Sequence, residues 1–484
     1  MAGGTEQTGG MRMRLARTAR LAAAVLTGGF LAAAAGCTSS PGGGDATPAG
    51  SAPPVKTLTS PDYSGVGHPG TDWPTYGHDS GRSGVAANTA AAGPLSVAWQ
   101  ARLDGAVYGQ PLLVGSVVIA ATENDSIYAL DQGTGHVVWR TNVGTPVPLS
   151  SLPCGNIDPL GITGTPAYDS NNGLVYAVAE TTGYHHVLVG VSVRDGSVQV
   201  QRDIPTPDGQ PRYDQQRPGL VIEQGRVYVA FGGLYGDCGP YRGSVVGIPL
   251  SGSGPLVSYV VPTPREGAIW GTAGPVRGPD GTLYVSVGNG SETSTKFDGS
   301  DSVTALSPAL KQTGIFAPSS WYHDNQNDLD LGSTQPALLA NGMLLADGKS
   351  GTAYLVSAAH LGGVGGQVAE APVCDAKGGA AVQGSTVYEP CMDGGMAAIS
   401  TAGNKIRVLW RGPASAQGSP VVGGGAVWVT DWVSGTLYQL NPATGAIRYS
   451  LRLGTSLPHF SSMSMVGNRA YLGTMQGVVA VAGA

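Results

Sequence analysis

Five residues in the middle of the chain have the types and order that could bind a flat cofactor and a metal ion. Trp270 precedes Asn289 by 19 residues, Asp328 and Asp330 follow in one acidic segment, and Lys349 comes last. An indole offers a flat aromatic surface, amide and carboxylate oxygens are ligands for hard cations, and a carboxylate can act as a general base. Each residue also has a structural alternative, since aromatic residues fill cores and Asn, Asp and Lys are common in turns.

The elements that must position these residues repeat along the chain about every 40–50 residues, from Val97 onward. One copy contains the runs Gly109–Val114, Gly115–Ala120, Ser126–Asp131 and Val137–Trp139, and a similar copy begins at Gly418. Each copy has four short β-branched and aromatic runs separated by Gly, Asn or Asp, which predicts a four-stranded antiparallel sheet. A fixed period of this length predicts an all-β propeller.

The number of blades follows from counting the repeats. Eight are recognised, near 97–144, 152–204, 213–261, 268–318, 332–370, 376–411, 414–454 and 457–484. The eighth repeat is short and lacks its outermost strand, so we expect the segment from Asp72 to Trp99 to supply that strand and close the ring, which leaves no open sheet edge. Seven blades is the alternative, if the fifth and sixth repeats form one irregular blade.

The composition agrees with many tight turns and with no nucleic-acid partner. Only 12% of the residues are charged and 77 are Gly, which suits short strands joined by turns. The formal net charge of −6 is mild, and there is no basic patch of the kind that binds nucleic acid.

The first 37 residues are predicted to be a signal peptide. Arg12, Arg14, Arg17 and Arg20 precede an apolar run of about fifteen residues, too short to span a bilayer comfortably. The run ends in Ala-Ala-Gly-Cys37, which resembles the lipobox of bacterial lipoproteins, although Ala stands where Leu is usual. We therefore expect a lipid on Cys37 and a location at the outer face of the cell membrane. Ordinary cleavage beside an incidental cysteine is the alternative.

Downstream of Cys37 the chain divides into two parts. Residues 38–70 are rich in Ser, Pro, Gly and Thr, which predicts a disordered tether. Residues 71–484 contain all the repeats and form the predicted propeller.

Four further cysteines are expected to form two disulfides, because an even number in an exported chain favours bonding. Three pairings are possible. We favour Cys154 with Cys238, in loops expected to meet on one face, and Cys374 with Cys391, which flank a strand pair in the sixth repeat. Free buried cysteines are the alternative, and no His or Cys lies at metal-ligand spacing.

The repeats resemble those of the pyrroloquinoline-quinone (PQQ) quinoprotein dehydrogenases and their non-enzymatic relatives. The resemblance rests on Asp131–Trp139 and Leu440–Gly445 and covers about residues 73–484. In that family the Ala/Thr-Gly turn and a following Trp or other aromatic residue form a contact between blades. The repeat is specific for the fold but not for activity, because outer-membrane assembly lipoproteins share it without a cofactor.

The same resemblance implies a role for each of the five residues. Trp270 is similar to the Trp beneath the quinone and Asn289 to a calcium-ligating Asn. Asp328 resembles the general base, and Asp330 the extra carboxylate of the metal-rich branch. Lys349 resembles the Lys or Arg that bonds the quinone oxygens, where a cation would stabilise the reduced quinol.

Three features depart from the family. The adjacent cysteines of the alcohol dehydrogenases are missing, and the Glu metal ligand of the third blade is matched only by the shorter Asp237 or by Cys238. There is no Cys-x-x-Cys-His haem motif, so electrons would need an external acceptor.

Two functions, and a third that has no supporting motif, therefore remain open from sequence. One is a membrane-anchored quinoprotein dehydrogenase that oxidises an alcohol or sugar with PQQ and calcium or another hard metal ion. The other is a cofactor-free propeller that binds a protein partner or assists envelope assembly. A hydrolase or carbohydrate-binding role lacks a supporting motif.

Overall fold

The computed structural model describes residues 71–86, 89–291 and 295–483. The predicted signal peptide, Cys37 and the tether lie outside this range. The described chain forms eight antiparallel sheets in sequence order, the blades of an eight-bladed β-propeller. The prediction of eight blades is confirmed, and the seven-blade alternative is wrong, because the fifth and sixth repeats form separate sheets.

The first strand along the chain, β1 (Leu95–Arg102), belongs to the last blade, and the first four blades follow it. Blade one contains β2 (Leu112–Val114), β3 (Val117–Ala121), β4 (Ser126–Asp131) and β5 (Val137–Asn142); blade two β6 (Ala167–Asp169), β7 (Leu174–Thr181), β8 (His185–Ser192) and β9 (Val198–Ile204); blade three β10 (Asp214–Gln215), β11 (Val221–Glu223), β12 (Arg226–Gly233), β13 (Ser244–Pro249) and β14 (Val257–Val260); blade four β15 (Val276–Arg277), β16 (Leu283–Val287), β17 (Ser302–Leu306) and β18 (Gln312–Ala317).

The remaining blades have the same order, from the innermost to the outermost strand. Blade five contains β19 (Ala337–Leu338), β20 (Met343–Ala346), β21 (Thr352–Ser357) and β23 (Ala369–Pro372), while β22 (Gly363–Val364) pairs in parallel with β18 of blade four; blade six contains β24 (Ala381–Gln383), β25 (Thr386–Cys391), β26 (Gly395–Ser400) and β27 (Arg407–Arg411); blade seven β28 (Val421–Gly423), β29 (Ala426–Asp431), β30 (Thr436–Leu440) and β31 (Ile447–Arg452); blade eight β32 (Met463–Val466), β33 (Arg469–Thr474) and β34 (Gly477–Gly483), completed by β1.

Helical structure in the described part of the chain is limited to short segments. The α-helix α1 spans Trp321–Asn327, and single 3₁₀ turns span Leu149–Ser151, Leu331–Ser333 and Ala402–Asn404. None of these segments has the length and apolar character needed to cross a membrane.

Ring closure joins the two ends of the described chain. Strand β1 pairs antiparallel with β34 from Leu95 opposite Gly483 to Arg102 opposite Gly477. The predicted closure is confirmed for this strand, because β34 would otherwise leave an unpaired edge.

We expected the whole segment from Asp72 to Trp99 to complete the last blade. This expectation is wrong for the part upstream of β1, which does not belong to that sheet. Residues 72–86 instead cross between the innermost strands of several blades. Trp73 bridges Leu113 of blade one, Arg82 donates to the Pro275 carbonyl beside blade four, and Val85 bridges Val422 of blade seven. A non-repeating segment of this kind holds the blades together around the axis.

Tyr76 is the residue of this segment that fills the space between the blades. Its side chain is buried. A Cβ on Gly219 would lie 3.0 Å from the Tyr76 Cβ, and a Cβ on Gly379 would lie 2.4 Å from the Tyr76 hydroxyl oxygen. The two glycines therefore leave room for the tyrosine.

Neighbouring blades are joined by a tryptophan contact that matches the family pattern. The Trp99 Nε1 of β1 donates to the Gln132 carbonyl at 3.0 Å, and a Cβ on Gly135 would come within 2.5 Å of the Trp99 ring. The same arrangement occurs twice more, with the pairs Trp139–Gly196 and Trp410–Gly445. Each glycine has a positive φ, which suits glycine in the turn.

The apolar core lies between the blades. For example, Leu112 and Ile119 of blade one pack in one buried cluster with Val175 and Val189 of blade two. Because each blade buries its faces against its neighbours, the strands hold the loops that precede and connect them in fixed positions.

Candidate functional site

One cavity of about 580 Å³ contains every residue to which the sequence assigned a cofactor or metal role. Its volume lies within the range typical of small-molecule sites. The predicted residues that line it are Asp237, Trp270, Asn289, Asp328, Asp330 and Lys349.

Asp330 lies at the centre of the polar contacts in this cavity. Its carboxylate accepts a hydrogen bond from the backbone N–H of Asn289 at 2.6 Å, and the side-chain amide of Asn289, oriented with its nitrogen as donor, bonds the same group. A Cβ on Gly288 would lie 2.4 Å from the Asp330 Oδ1, and a Cβ on Gly348 would lie 2.2 Å from its carbonyl oxygen. The two glycines therefore permit the close approach of three chain segments.

Lys349 bridges the two acidic residues. Its Nζ lies 2.6 Å from the Asp328 Oδ1 and 2.6 Å from the Asp330 Oδ2. The Asp330 side chain is 6% exposed and that of Asp328 is 71% exposed, so the pair combines a buried and an accessible carboxylate. With both carboxylates ionised, the three groups together carry one negative charge.

The local environment shifts the pKa values of two of these groups. Burial raises the pKa of Asp330, and Lys349 and the Asn289 N–H only partly offset that effect. Burial alone would lower the pKa of Lys349, but the carboxylates of Asp330 and Asp328 outweigh it and hold that pKa above its usual range. Lys349 is therefore a permanent cation in this cavity.

Trp270 supplies an aromatic face beside the cation. The Lys349 Nζ lies 5.7 Å from the centroid of the Trp270 ring, and the Phe460 ring lies 6.2 Å away at an angle of 51°. The indole is half-buried and lines the cavity. The ring therefore borders the cavity, with the Lys349 ammonium over it.

Asp237 lines the same cavity but is separate from the Asp328–Asp330 group. It accepts a hydrogen bond from the Tyr241 hydroxyl at 2.5 Å, and burial together with this carboxylate raises the pKa of Tyr241 well above its usual value. Among the described residues, the carboxylates of Asp237, Asp328 and Asp330 do not form a set with all ligand atoms within 4.8 Å of one another.

Helix α1 determines the position of Asp328. The alternative to a site role for this acidic segment was a turn, and the structure has a short helix there. The helix ends at Asn327, and Asp328 caps it with a left-handed backbone, φ 55° and ψ 45°. Its N–H donates to the Asp324 carbonyl. Aspartate tolerates this conformation better than most residues, and the chain then turns directly into the buried Asp330.

The residues fit a flat ligand with acceptor oxygen atoms better than they fit a metal ion alone. Trp270 offers a ring face and Lys349 a cation beside it. Asp328, Asp330 and Asn289 have oxygen atoms of the type that hard cations prefer, but the Lys349 ammonium already lies between the two carboxylates. A metal ion would bind there only after the lysine had moved to another acceptor.

Sequence reasoning missed three cationic or basic residues of the cavity, Arg217, Lys377 and His459. All three lie four residues before the innermost regular strand of their blade, which in blade three is β11, because the two-residue β10 pairs only with the far end of β12. Arg217 precedes β11, which begins at Val221; Lys377 precedes β24 and His459 precedes β32 in the same way. That shared position was the signal that could have identified them.

A disulfide joins two loops that form one wall of the cavity. Cys154 and Cys238 are bonded, with their Cα atoms 6.2 Å apart, and they link the insertion before blade two to the loop that carries Asp237. The second predicted bond, Cys374–Cys391, is also present, with the Cα atoms 5.5 Å apart. Both predicted pairings are confirmed, and the alternative of free cysteines is wrong.

Comparison with known proteins shows two groups of relatives. A 185-residue stretch is 29% identical to the dehydrogenase subunit of a quinone-type alcohol dehydrogenase from Gluconobacter oxydans (strain 621H); it spans 36% of this chain and only 23% of that protein. The quinohemoprotein alcohol dehydrogenase of Comamonas testosteroni has the same fold, with a TM-score of 0.64, 17% identity and coverage of 85% of this chain and 80% of that one. BamB from Moraxella catarrhalis also matches, with a TM-score of 0.56, 17% identity and coverage of 80% and 99%.

The family assignment rests on a longer match. The family model described as outer membrane protein assembly factor BamB, a PQQ-type repeat family, matches residues 79–236 and 320–483. These two ranges cover more than half of the chain and include the strands of blades one, two and five to eight. The protein therefore belongs to the PQQ-type β-propeller repeat family of which BamB is the named member.

Proposed function

We propose that this protein is an extracytoplasmic quinoprotein-type oxidoreductase that binds PQQ with a hard metal ion and oxidises an alcohol or sugar. The observation that carries the proposal is the meeting of Trp270, Asn289, Asp328, Asp330 and Lys349 in one cavity large enough for a small-molecule cofactor. A plain propeller core would not require an aromatic face, a cation and two carboxylates in the same open space.

Each residue has a distinct task in the proposed site. Trp270 supports the flat ring system from one side, and Lys349 donates to its oxygen atoms. Asn289, Asp330 and Asp328 hold the metal ion, with Asp237 placed to assist through water. Bound PQQ would supply the electron-accepting quinone, and an external acceptor would then reoxidise it.

The position of Lys349 links the binding of cofactor and metal. Lys349 now donates to Asp328 and Asp330. A quinone oxygen would accept from the same ammonium, and the two carboxylates would then become free for a cation. Each ligand would thus favour the other, so we expect PQQ to bind tightly only when calcium or a trivalent lanthanide ion is present.

Equilibrium dialysis of purified protein against PQQ, with and without each metal, tests this proposal. Saturable binding that requires the metal is expected, together with loss of binding in Trp270→Leu. Trp139→Phe is the matched control, because Trp139 lies in a contact between blades and does not line the cavity. If the wild-type protein binds no PQQ with any metal, the quinoprotein proposal is wrong.

A protein-binding scaffold is the second candidate function, and the match to the BamB family model supports it. Two large apolar side chains near the cavity mouth are also exposed. Tyr235, which lines the cavity, is 66% exposed, and Val433, next to the lining residue Trp432, is 74% exposed. In this role the protein would contact a partner through the loop tips, and Trp270→Leu would leave its function unchanged.

The membrane location is part of the same proposal. We expect lipidation of Cys37, followed by residues 38–70 as a tether, to hold the propeller at the outer face of the cell membrane. Changing Cys37→Ala should move the protein from the membrane fraction to the medium. Unchanged retention in the membrane fraction would contradict lipid anchoring, whichever function the propeller performs.

A further inference from the structure

Arg217 lines the same cavity as Asp328 and Asp330. It lines both this cavity and a small chamber next to it, which Tyr76, Gln110 and Thr165 also line. The Arg217 guanidinium carbon lies 5.4 Å from the centroid of the Phe460 ring, and its Nη2 contacts the Nε2 of His459. The side chain is therefore fixed between a ring and a histidine.

The carboxyl group that acts electrostatically on Arg217 is that of Glu123, but burial raises the pKa of Glu123 to about 8, so this group is largely protonated near pH 7 and offsets the charge of Arg217 only in small part. Burial, with Arg217 beside it, lowers the pKa of His459 to about 4, so this imidazole is neutral near pH 7 and its Nε2 accepts from the guanidinium. Among residues 71–86, 89–291 and 295–483, no carboxylate forms an ion pair with Arg217. The two other cations of the cavity are paired, Lys349 with Asp328 and Asp330, and Lys377 with Asp375.

A protein rarely leaves a half-buried guanidinium without a counter-charge, because taking a charge out of water is costly. The charge is explained if a ligand supplies the anion. A guanidinium binds a planar carboxylate through two parallel hydrogen bonds, which favours this anion over a point charge.

We propose that Arg217, supported by Phe460 and His459, is the subsite for a carboxylate group of the ligand that occupies the cavity. Contacts run in sequence from Lys349 to Trp270, from Trp270 to Phe460 and from Phe460 to Arg217. The two cations thus flank a pair of aromatic rings, which suits a flat ligand with acceptor oxygens at one end and a carboxylate at the other. That this carboxylate belongs to PQQ rests on the proposed function.

Binding of two probes to the wild type and to Arg217→Gln tests the subsite. The probes are PQQ with metal and benzene-1,3,5-tricarboxylate without metal, a flat carboxylate that is not a quinone. We expect Arg217→Gln to weaken both by about tenfold to hundredfold, as for loss of a charged hydrogen bond. Arg217→Lys should recover only part of the affinity, because lysine keeps the charge but not the planar pair of donors.

The outcomes separate the subsite from the quinoprotein function. If the wild type and Arg217→Gln bind PQQ equally, the subsite is wrong and the quinoprotein proposal stands. If the tricarboxylate binds in an Arg217-dependent manner and PQQ does not bind, the subsite stands and the quinoprotein proposal is wrong. If the wild type binds neither probe, both proposals are wrong.

Thermal unfolding distinguishes a ligand subsite from a structural role. Removing an uncompensated charge should leave the midpoint of Arg217→Gln unchanged or raise it, whereas removing a structural cation should lower it. The matched control is Arg212→Gln, since Arg212 also lies over an aromatic ring, that of Tyr184, but is exposed and does not line the cavity. A clear fall in midpoint for Arg217→Gln alone, with unchanged affinity for both probes, overturns the subsite.

Discussion

Asp328→Asn is expected to reduce dye-linked oxidation of alcohols or sugars by about 10²–10⁴-fold while PQQ and the metal remain bound. The expected decrease in rate equals the usual contribution of a positioned general base. The Asp328 side chain is 71% exposed and lines the cavity, and in the proposed role its carboxylate would take the proton that leaves the substrate oxygen. Asparagine keeps the shape and an oxygen atom that can still bind the metal ion, but it cannot accept that proton. The measurement is the initial rate with PQQ, metal and an artificial electron acceptor.

Stability should change little in this variant, because an ion pair made by an exposed carboxylate contributes about 0–1 kcal/mol. Asp330→Asn is the matched comparison. Asp330 is buried and bonds both Asn289 and Lys349, so this variant should lose affinity for the metal and PQQ as well as rate. If Asp328→Asn keeps most of the wild-type rate, the proton acceptor is another group.

The repeat pattern was sufficient to predict the propeller from sequence. Period and strand composition gave eight blades, and the short eighth repeat predicted that β1 would pair with β34. The crossing of residues 72–86 between the blades was not predicted, because this segment has no counterpart in the other repeats. Tyr76 has no periodic pattern, and its burial depends on glycines in two distant blades.

The candidate site was predicted to a smaller extent. Trp270, Asn289, Asp328, Asp330 and Lys349 were found through the resemblance of local segments to quinoprotein dehydrogenases, and all of them line the cavity. The contact between Lys349 and both carboxylates was not foreseen, since it depends on the turn at the end of α1 and on close approaches at two glycines.

Arg217 and His459 show a second reason why sites escape sequence reasoning. They are 242 residues apart, and neither lies in a motif. They meet because the ring brings the segments before β11 and β32 to the same axis. Comparing the residue four positions before the innermost strand of every repeat identifies both, but this comparison requires the strand boundaries to be known to the residue. Sequence patterns rarely define strand boundaries that closely.

Lys349→Met is expected to lower the free energy of unfolding by about 3–5 kcal/mol at pH 8, the usual cost of removing one partner from a buried ion pair. The side chain of Lys349 is 17% exposed and that of Asp330 is 6% exposed, so water would replace the lost ammonium poorly. The pKa of Asp330, already raised by burial, would rise further without the lysine. Denaturant unfolding at pH 8 and pH 5 measures the effect.

The dependence on pH has a definite sign. With its pKa higher in the folded than in the unfolded protein, Asp330 binds a proton more readily when folded, so stability is greatest at low pH and falls as the pH rises through the folded pKa. The destabilisation by Lys349→Met should therefore be smaller at pH 5 than at pH 8. The double variant Lys349→Met with Asp330→Asn removes both charges and should recover most of the loss at pH 8. Equal stability of the wild type and the single variant at pH 8 would mean that the ammonium does not lie between the carboxylates in solution, and the proposed exchange of lysine for metal would lose its basis.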